Sequence, residues 1–213
     1  MDFDIFSKSV SKITNLPLPG ETSHYKMAPQ LRLKELNAIN IEERNPKKAA
    51  VLILLYPDVD LQTNFVLIHR KKYPGTHSGQ ISFPGGKVEK KDIDLRATAL
   101  RETHEEIGVS SEKIKLIRSL SEVYIPPSNF MVYPFMGITN EFPVFSRQES
   151  EVEQIVEVPL ANFMDDTNVY TEELTTFYAK NITVPVFKLN GHVVWGATAM
   201  MLSEVKELLK HVL

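Results

Sequence analysis

The chain reads as one α/β domain built on a mixed sheet, and three observations carry that expectation. Apolar runs with strand character interleave with segments whose apolar residues recur at helical spacing. No shift of composition marks a second domain, and no internal repeat or low-complexity tract breaks the 213 residues. A chain of this size buries roughly 70% of its unfolded surface, enough for a core with a cleft in it.

Phe3, Ile5, Phe6, Val10 and Ile13 predict an amphipathic helix over 3–16, ended by Pro17-Leu18-Pro19-Gly20. Residues 17–46 then read as an irregular connection with a short helix at 29–38. We therefore take 1–46 as an N-terminal extension packed on a main domain of 47–213. Ala49–Tyr56 is a continuous apolar run expected as a buried strand, with Asn64–His69 as its partner across the Pro57-Asp58-Val59-Asp60 turn. A basic loop follows at 70–80, then Gly85-Gly86 and a polar loop. Asp94–Glu106 is expected to be helical, with Leu95, Thr98, Ala99 and Ile107 available for packing and Gly108 as its stop. Strands are expected at 114–124, 131–139 and 152–158, a short helix at 159–165, a hairpin of 174–180 with 183–189, and a strand at 192–195. The stretch 197–212 has the pattern of an amphipathic helix.

Hydrophobic residues make up 43% of the chain and charged residues 24%, the balance of an ordinary globular protein. A formal net charge of −3 gives no general attraction to polyanions, so nucleic acid is not expected as a partner. Cysteine is absent, which removes disulfides, thiolate metal sites and thiol nucleophiles. There is no secretory pattern at the N-terminus and no apolar run long enough to span a bilayer, so the expectation is a cytoplasmic protein without a membrane partner.

In helical geometry Glu102, Glu105 and Glu106 fall at i, i+3 and i+4, which puts three carboxylates on one patch. Like charges at this spacing cost about 0.2–0.5 kcal/mol per pair, so packing gives no reason to cluster them. A solvated acidic face is the plain reading of such a helix, and a hard cation is the functional one. Magnesium takes oxygen ligands and is commonly held by a few carboxylates together with substrate phosphate. The Gly-Gly pair ahead of the helix lets the backbone approach a ligand closely, which favours the second reading.

The stretch from Gly85 to Val109, GGKVEKKDIDLRATALRETHEEIGV, resembles the Nudix box, G-x5-E-x7-R-E-U-x-E-E-x-G-U with U aliphatic. It departs from the pattern in three places. Asp92 stands where the first Glu belongs, the loop is one residue longer, and Thr103 takes the aliphatic position. Either Asp92 or Glu89 fills the first acidic role. Upstream, Val66–Arg70 and Gly79–Gly86 resemble the additional signature of the coenzyme A pyrophosphatase branch. Arg70, Gly79 and Phe83–Gly86 match it, whereas Ile68, Lys71 and Gly75 do not.

The resemblance implies an α/β/α sandwich and hydrolysis of a pyrophosphate bond with Mg2+, or Mn2+ as its substitute. Coenzyme A or acyl-coenzyme A would give adenosine 3′,5′-bisphosphate and 4′-phosphopantetheine or its acyl form. It further implies Glu102, Glu105 and Glu106 as metal ligands and catalytic groups, Arg101 as the partner that positions a glutamate, and Arg70, Gly85 and Gly86 at the substrate. The base is a helix glutamate or one of Glu149, Glu151 and Glu153, which strand alternation would put on a single face. The 69–77 loop, with His69, Arg70, Lys71, Lys72 and His77, is the candidate source of cations for the phosphates, with a solvated basic loop as the plain reading of Lys71 and Lys72. The segment Tyr124–Phe130 is a candidate lip over the cleft, and Trp195 is read as a core residue. ADP-ribose, NADH or another nucleoside diphosphate derivative is the rival substrate class, and a non-catalytic nucleotide sensor is the rival function. A homodimer is compatible with all of these.

Overall fold

The computed structural model describes residues 1–175 and 181–213. Helices α1 (Phe3–Val10), α2 (Glu21–His24) and α3 (Gln30–Ala38) precede strands β1 (Lys47–Pro57), β2 (Thr63–Arg70), β3 (Ile81–Ser82) and β4 (Gly85–Lys87). Helix α4 (Leu95–Ile107) leads into β5 (Lys115–Ser119), β6 (Val123–Ile125), β7 (Phe130–Ile138) and β8 (Val152–Pro159). Then come α5 (Leu160–Met164), β9 (Val169–Leu174), β10 (Ile182–Leu189), β11 (His192–Val194) and α6 (Gly196–Lys210).

Strand β1 organises the main sheet. It runs parallel to β7 from Lys47 to Leu55 and antiparallel to two strands on its other edge, β4 at Ala49–Val51 and β2 at Leu55–Pro57. Its apolar run is continuous because both faces are covered. Ala49, Ile53 and Leu55 face a core shared with α1 and α6, whereas Ala50, Leu52, Leu54 and Tyr56 face α4 through Ala99 and Ile107. Helices on both sides of a mixed sheet make the α/β/α sandwich. A smaller sheet, ordered β11-β10-β9, lies beside it among the described residues.

Several elements differ from the sequence expectation, each for a local reason. The helix expected over 3–16 is α-helical only to Val10 and continues as a 3-10 segment over Ser11–Asn15. Helix α2 is too short to leave a period in the sequence. The strand expected at 114–124 is two strands, because Ser121 leaves the ladder and gives its N–H and hydroxyl to Glu204. β9 comes earlier than the strand expected at 174–180, and residues 176–180 lie outside the described residues. Helix α6 is not amphipathic against solvent: Ser203, Glu204 and Lys206 are buried with its apolar residues. Glu204 is covered by α2 through His24, and Lys206 lies over the rings of Phe163 and Phe187 while pairing with Asp166.

Candidate active site

Helix α4 is set by its ends. Asp94 caps its first turn by accepting from the Ala97 N–H at 2.8 Å, and Gly108 closes it in the left-handed conformation at φ 78°. Between the caps, Thr98, Ala99, Thr103 and Ile107 are buried. Thr103 is tolerated in this apolar position because its hydroxyl donates to the Ala99 carbonyl at 2.7 Å.

The three helix glutamates do not share one environment. Glu106 is 1% exposed, and each of its oxygens has a donor: Arg70 Nη1 at 3.0 Å from Oε1 and the Gly85 N–H at 2.8 Å from Oε2. Burial first, then the charges of Glu102 and Glu151, push its carboxyl up to about 7, against Arg70 and the Gly85 N–H. Burial likewise holds Glu102 above the ordinary carboxylate range, opposed by Arg101 and reinforced by Glu105 and Glu151. Glu105 turns outward, where Arg101 Nη1 stands at 2.9 Å and Lys91 Nζ at 3.4 Å. The three lie on one stretch of the helix, as expected, but their sets of partners differ. Guanidinium groups divide them, Arg101 between Glu102 and Glu105 and Arg70 on Glu106. Among the described residues, no group of three His, Asp or Glu side chains is arranged so that it could hold a metal ion.

Arg101 is the most heavily bonded side chain of the site. Beyond Glu102 and Glu105 it donates to Asp92 through Nε and Nη2, at 2.8 and 2.9 Å, and to the Lys87 carbonyl at 3.2 Å. These bonds hold the Asp92 carboxyl well below the usual range, and Thr98 and the Glu89 N–H add to them. Glu89 reaches Arg101 only at 4.0 Å.

The Gly-Gly turn touches this helix directly. A Cβ on Gly86 would stand 2.6 Å from both carboxylate oxygens of Glu102, and one on Gly85 would meet Val51 Cα at 2.6 Å. Gly85 also adopts φ +151°, a backbone conformation side chains rarely take.

Of the second acidic cluster, Glu151 faces the site, with its carboxylate 3.9 Å from Arg70 Nη2. Alternation does not group the three as expected, because β8 begins at Val152 and Glu149 and Glu151 precede it. Glu149 is turned to Arg147 at 4.0 Å, with its side chain 83% exposed.

A cavity of about 300 Å³ opens beside the Gly-Gly turn, at the lower end of ligand-pocket sizes. Arg70, Gly85, Gly86 and Lys87 form its polar end. Phe83, Tyr124, Phe130, Trp195, Met200 and Met201 supply apolar wall. Trp195, expected in the core, is half-buried and lines this cavity, since Gly196 starts α6 at the edge of the cleft. The 124–130 segment forms another wall and is tied to the basic loop by His77, whose Nε2 lies 2.9 Å from Ser128 Oγ. Burial, ahead of the nearby Arg70 charge, lowers the pKa of His77. Lys71 and Lys72 are not among the lining residues. Arg32 and Tyr73, which sequence reasoning missed, are. Neither sits in a motif, and Arg32 enters from α3, far along the chain.

With the arginines in place no three acids among the described residues converge, but the chemistry of the donors is that which a hard divalent cation takes. The groups are carboxylate oxygens, and Glu102 and Glu106 are raised by burial and by neighbouring carboxylates, Glu151 among them in both cases, which positive charge would relieve. The missing Cβ at Gly86 keeps backbone close to the Glu102 carboxylate.

Comparison with known proteins points to one family. The NUDIX domain matches residues 46–176. Nudix hydrolase 22, chloroplastic, of Arabidopsis thaliana is 35% identical over 163 residues, which are 74% of this chain and 53% of that protein. Mitochondrial coenzyme A diphosphatase NUDT8 of Homo sapiens is 32% identical over 77% of this chain and 70% of its own length. Peroxisomal coenzyme A diphosphatase ndx-8 of Caenorhabditis elegans is 29% identical over 80% and 72%. The chain spans about half the length of the plant relatives it matches. Among solved structures, the Nudix hydrolase RenU from M. Smegmatis superimposes with a TM-score of 0.54 at 14% identity, covering 79% of this chain and 88% of that one. That likeness shows the fold.

Proposed function

The chain belongs to the Nudix family, and on that premise we propose that it hydrolyses the pyrophosphate bond of coenzyme A or acyl-coenzyme A. The observation that carries this reading is the joining of two chemistries at one turn. Gly85 donates to the buried Glu106 on one side and lines a largely apolar cavity on the other. A diphosphate bearing a long, weakly polar arm needs both: charged groups at the phosphates and apolar wall beyond them. The similarity to two coenzyme A diphosphatases supports the same substrate.

Water attacks one phosphorus, the bond to the bridging oxygen breaks, and two phosphomonoesters leave. Mg2+ or Mn2+, when bound, would neutralise phosphate oxygens and lower the pKa of water. Glu102 and Glu106 are the residues that would hold it, with Glu151, beside Arg70, or a reoriented Glu105 to complete the set. Arg101, fixed by Asp92, positions Glu102. Glu151 is best placed of the outer acids to take the proton of the attacking water, since Glu149 points away. Arg70 and the Gly85-Gly86 backbone face the cavity where the phosphates would lie.

We further propose 47–213 as the catalytic domain and the cytosol as its compartment. No helix among the described residues is long and apolar enough to cross a membrane. The test is a product panel. The full chain is incubated with magnesium or manganese and coenzyme A, hexanoyl-coenzyme A, ADP-ribose or NADH, and products are identified by mass. Release of adenosine 3′,5′-bisphosphate is expected. Cleavage of ADP-ribose or NADH with coenzyme A untouched would overturn the substrate, and cleavage of none would overturn the activity.

A further inference from the structure

Arg70 and Arg101 both neutralise carboxylates of α4, but they are held very differently. Arg101 makes a two-point bond to Asp92 and three further bonds, so it cannot leave without undoing the loop before α4. Arg70 has one close bond, to Glu106 at 3.0 Å, and a looser approach to Glu151 at 3.9 Å. Its side chain is 21% exposed and borders the cavity. It also stands at an irregularity: the β2–β8 register shifts between His69 and Arg70, the kind of bulge that re-aims a side chain.

Glu106 does not depend on Arg70 for its orientation. Its other oxygen is held by the Gly85 N–H at 2.8 Å, which the sheet fixes. What Arg70 supplies is charge. Buried carboxylates need a counter-ion, and a divalent cation on the same oxygen would stand within a few ångströms of the guanidinium and repel it. We propose that Arg70 is an exchangeable counter-ion, which neutralises Glu106 until a divalent cation does and then turns to the diphosphate in the cavity. The exchange makes cation and nucleotide binding mutually reinforcing, because the cation releases the very group that the phosphates recruit. This rests on the cation site of the proposed function but not on the identity of the nucleotide.

The test uses metal alone. Manganese binding to EDTA-stripped protein is measured by electron paramagnetic resonance from about pH 7 to 8.5 for the wild type, Arg70→Met and Arg70→Lys. Affinities are compared after correction for proton competition, since Arg70 also helps Glu106 shed its proton. Circular dichroism confirms that each variant is folded. Removing a competing charge should tighten manganese binding about tenfold in Arg70→Met, while Arg70→Lys, which keeps the charge, stays near the wild type. Unchanged or weaker binding in Arg70→Met would overturn the exchange. A second readout needs no variant to bind metal. Adding magnesium should shift the Arg70 Nε resonance, assigned by its loss in Arg70→Lys, while that of Arg101 stays in place. An Arg70 signal that does not move would equally sink the idea. Failure of the substrate assignment would appear only in the product panel and would leave both measurements standing.

Discussion

Arg101 grips both carboxylate oxygens of Asp92, with Nε 2.8 Å from one and Nη2 2.9 Å from the other. The Asp92 side chain is 3% exposed, while that of Glu89 is 52% exposed. Asp92 is therefore the acid that anchors the arginine, and the lengthened loop before α4 serves to deliver it.

Asp92→Asn should lose about 1.5–3 kcal/mol of stability in urea denaturation, the worth of charge-assisted hydrogen bonds to a buried group. Turnover should fall with it, since Arg101 is then free to shift from Glu102. Glu89→Gln should change stability by less than about 0.5 kcal/mol, as expected of an exposed residue. Equal losses in the two variants would reverse the assignment.

Glu106→Gln keeps the shape of the side chain and removes its charge. Turnover should drop at least about a hundredfold, corresponding to a few kcal/mol of lost charge stabilisation, with the far-ultraviolet spectrum unchanged. In the wild type a carboxyl at about 7 must release its proton before it binds a cation. Manganese affinity should thus fall about tenfold for each pH unit below that value and level off above it. A pH-independent dissociation constant between pH 5.5 and 8 would refute this role for Glu106.

Gly85 and Gly86 should fail in different ways. At Gly85 an added Cβ meets backbone at φ +151°, and Gly85→Ala should cost about 2–4 kcal/mol of stability. At Gly86 it meets only the end of the Glu102 side chain, which can swing aside. Gly86→Ala should fold with nearly native stability and lose activity. Thermal melts paired with turnover separate the two outcomes.

Glu204 joins the N-terminal segment to the domain. It accepts from His24 at 3.0 Å, from the Ser121 hydroxyl at 2.6 Å and from the N–H groups of Ser121 and Gly20. Burial raises its carboxyl, but the bonds from His24 and Ser121 outweigh that and hold it below the ordinary 4.5. A depressed carboxyl contributes stability that is present above 4.5 and lost as pH falls through the folded value. Glu204→Ala should cost about 3–5 kcal/mol near neutrality. Glu204→Gln should flatten the loss of stability that the wild type shows in acid, and an unaltered acid slope in that variant would dismiss the link.

Sequence alone determined that Glu102, Glu105 and Glu106 ride one helix, that Asp94 and Gly108 bound it, and that a Gly-Gly turn approaches it. These are consequences of local periodicity and of backbone freedom, which a few adjacent residues decide. It also determined the two-sided burial of Ala49–Tyr56, since only a covered strand stays apolar on both faces. Tertiary structure decided which glutamate is buried, that Arg70 reaches Glu106 across 36 positions of chain, and that Glu151 rather than Glu149 looks into the site. It decided as well that Trp195 and Met201 wall the same cavity as Gly86. Pairings of this kind depend on strand order and on a bulge at Arg70, and charge and burial at each carboxylate follow from them. Local pattern therefore named the acids, and long-range packing divided their roles.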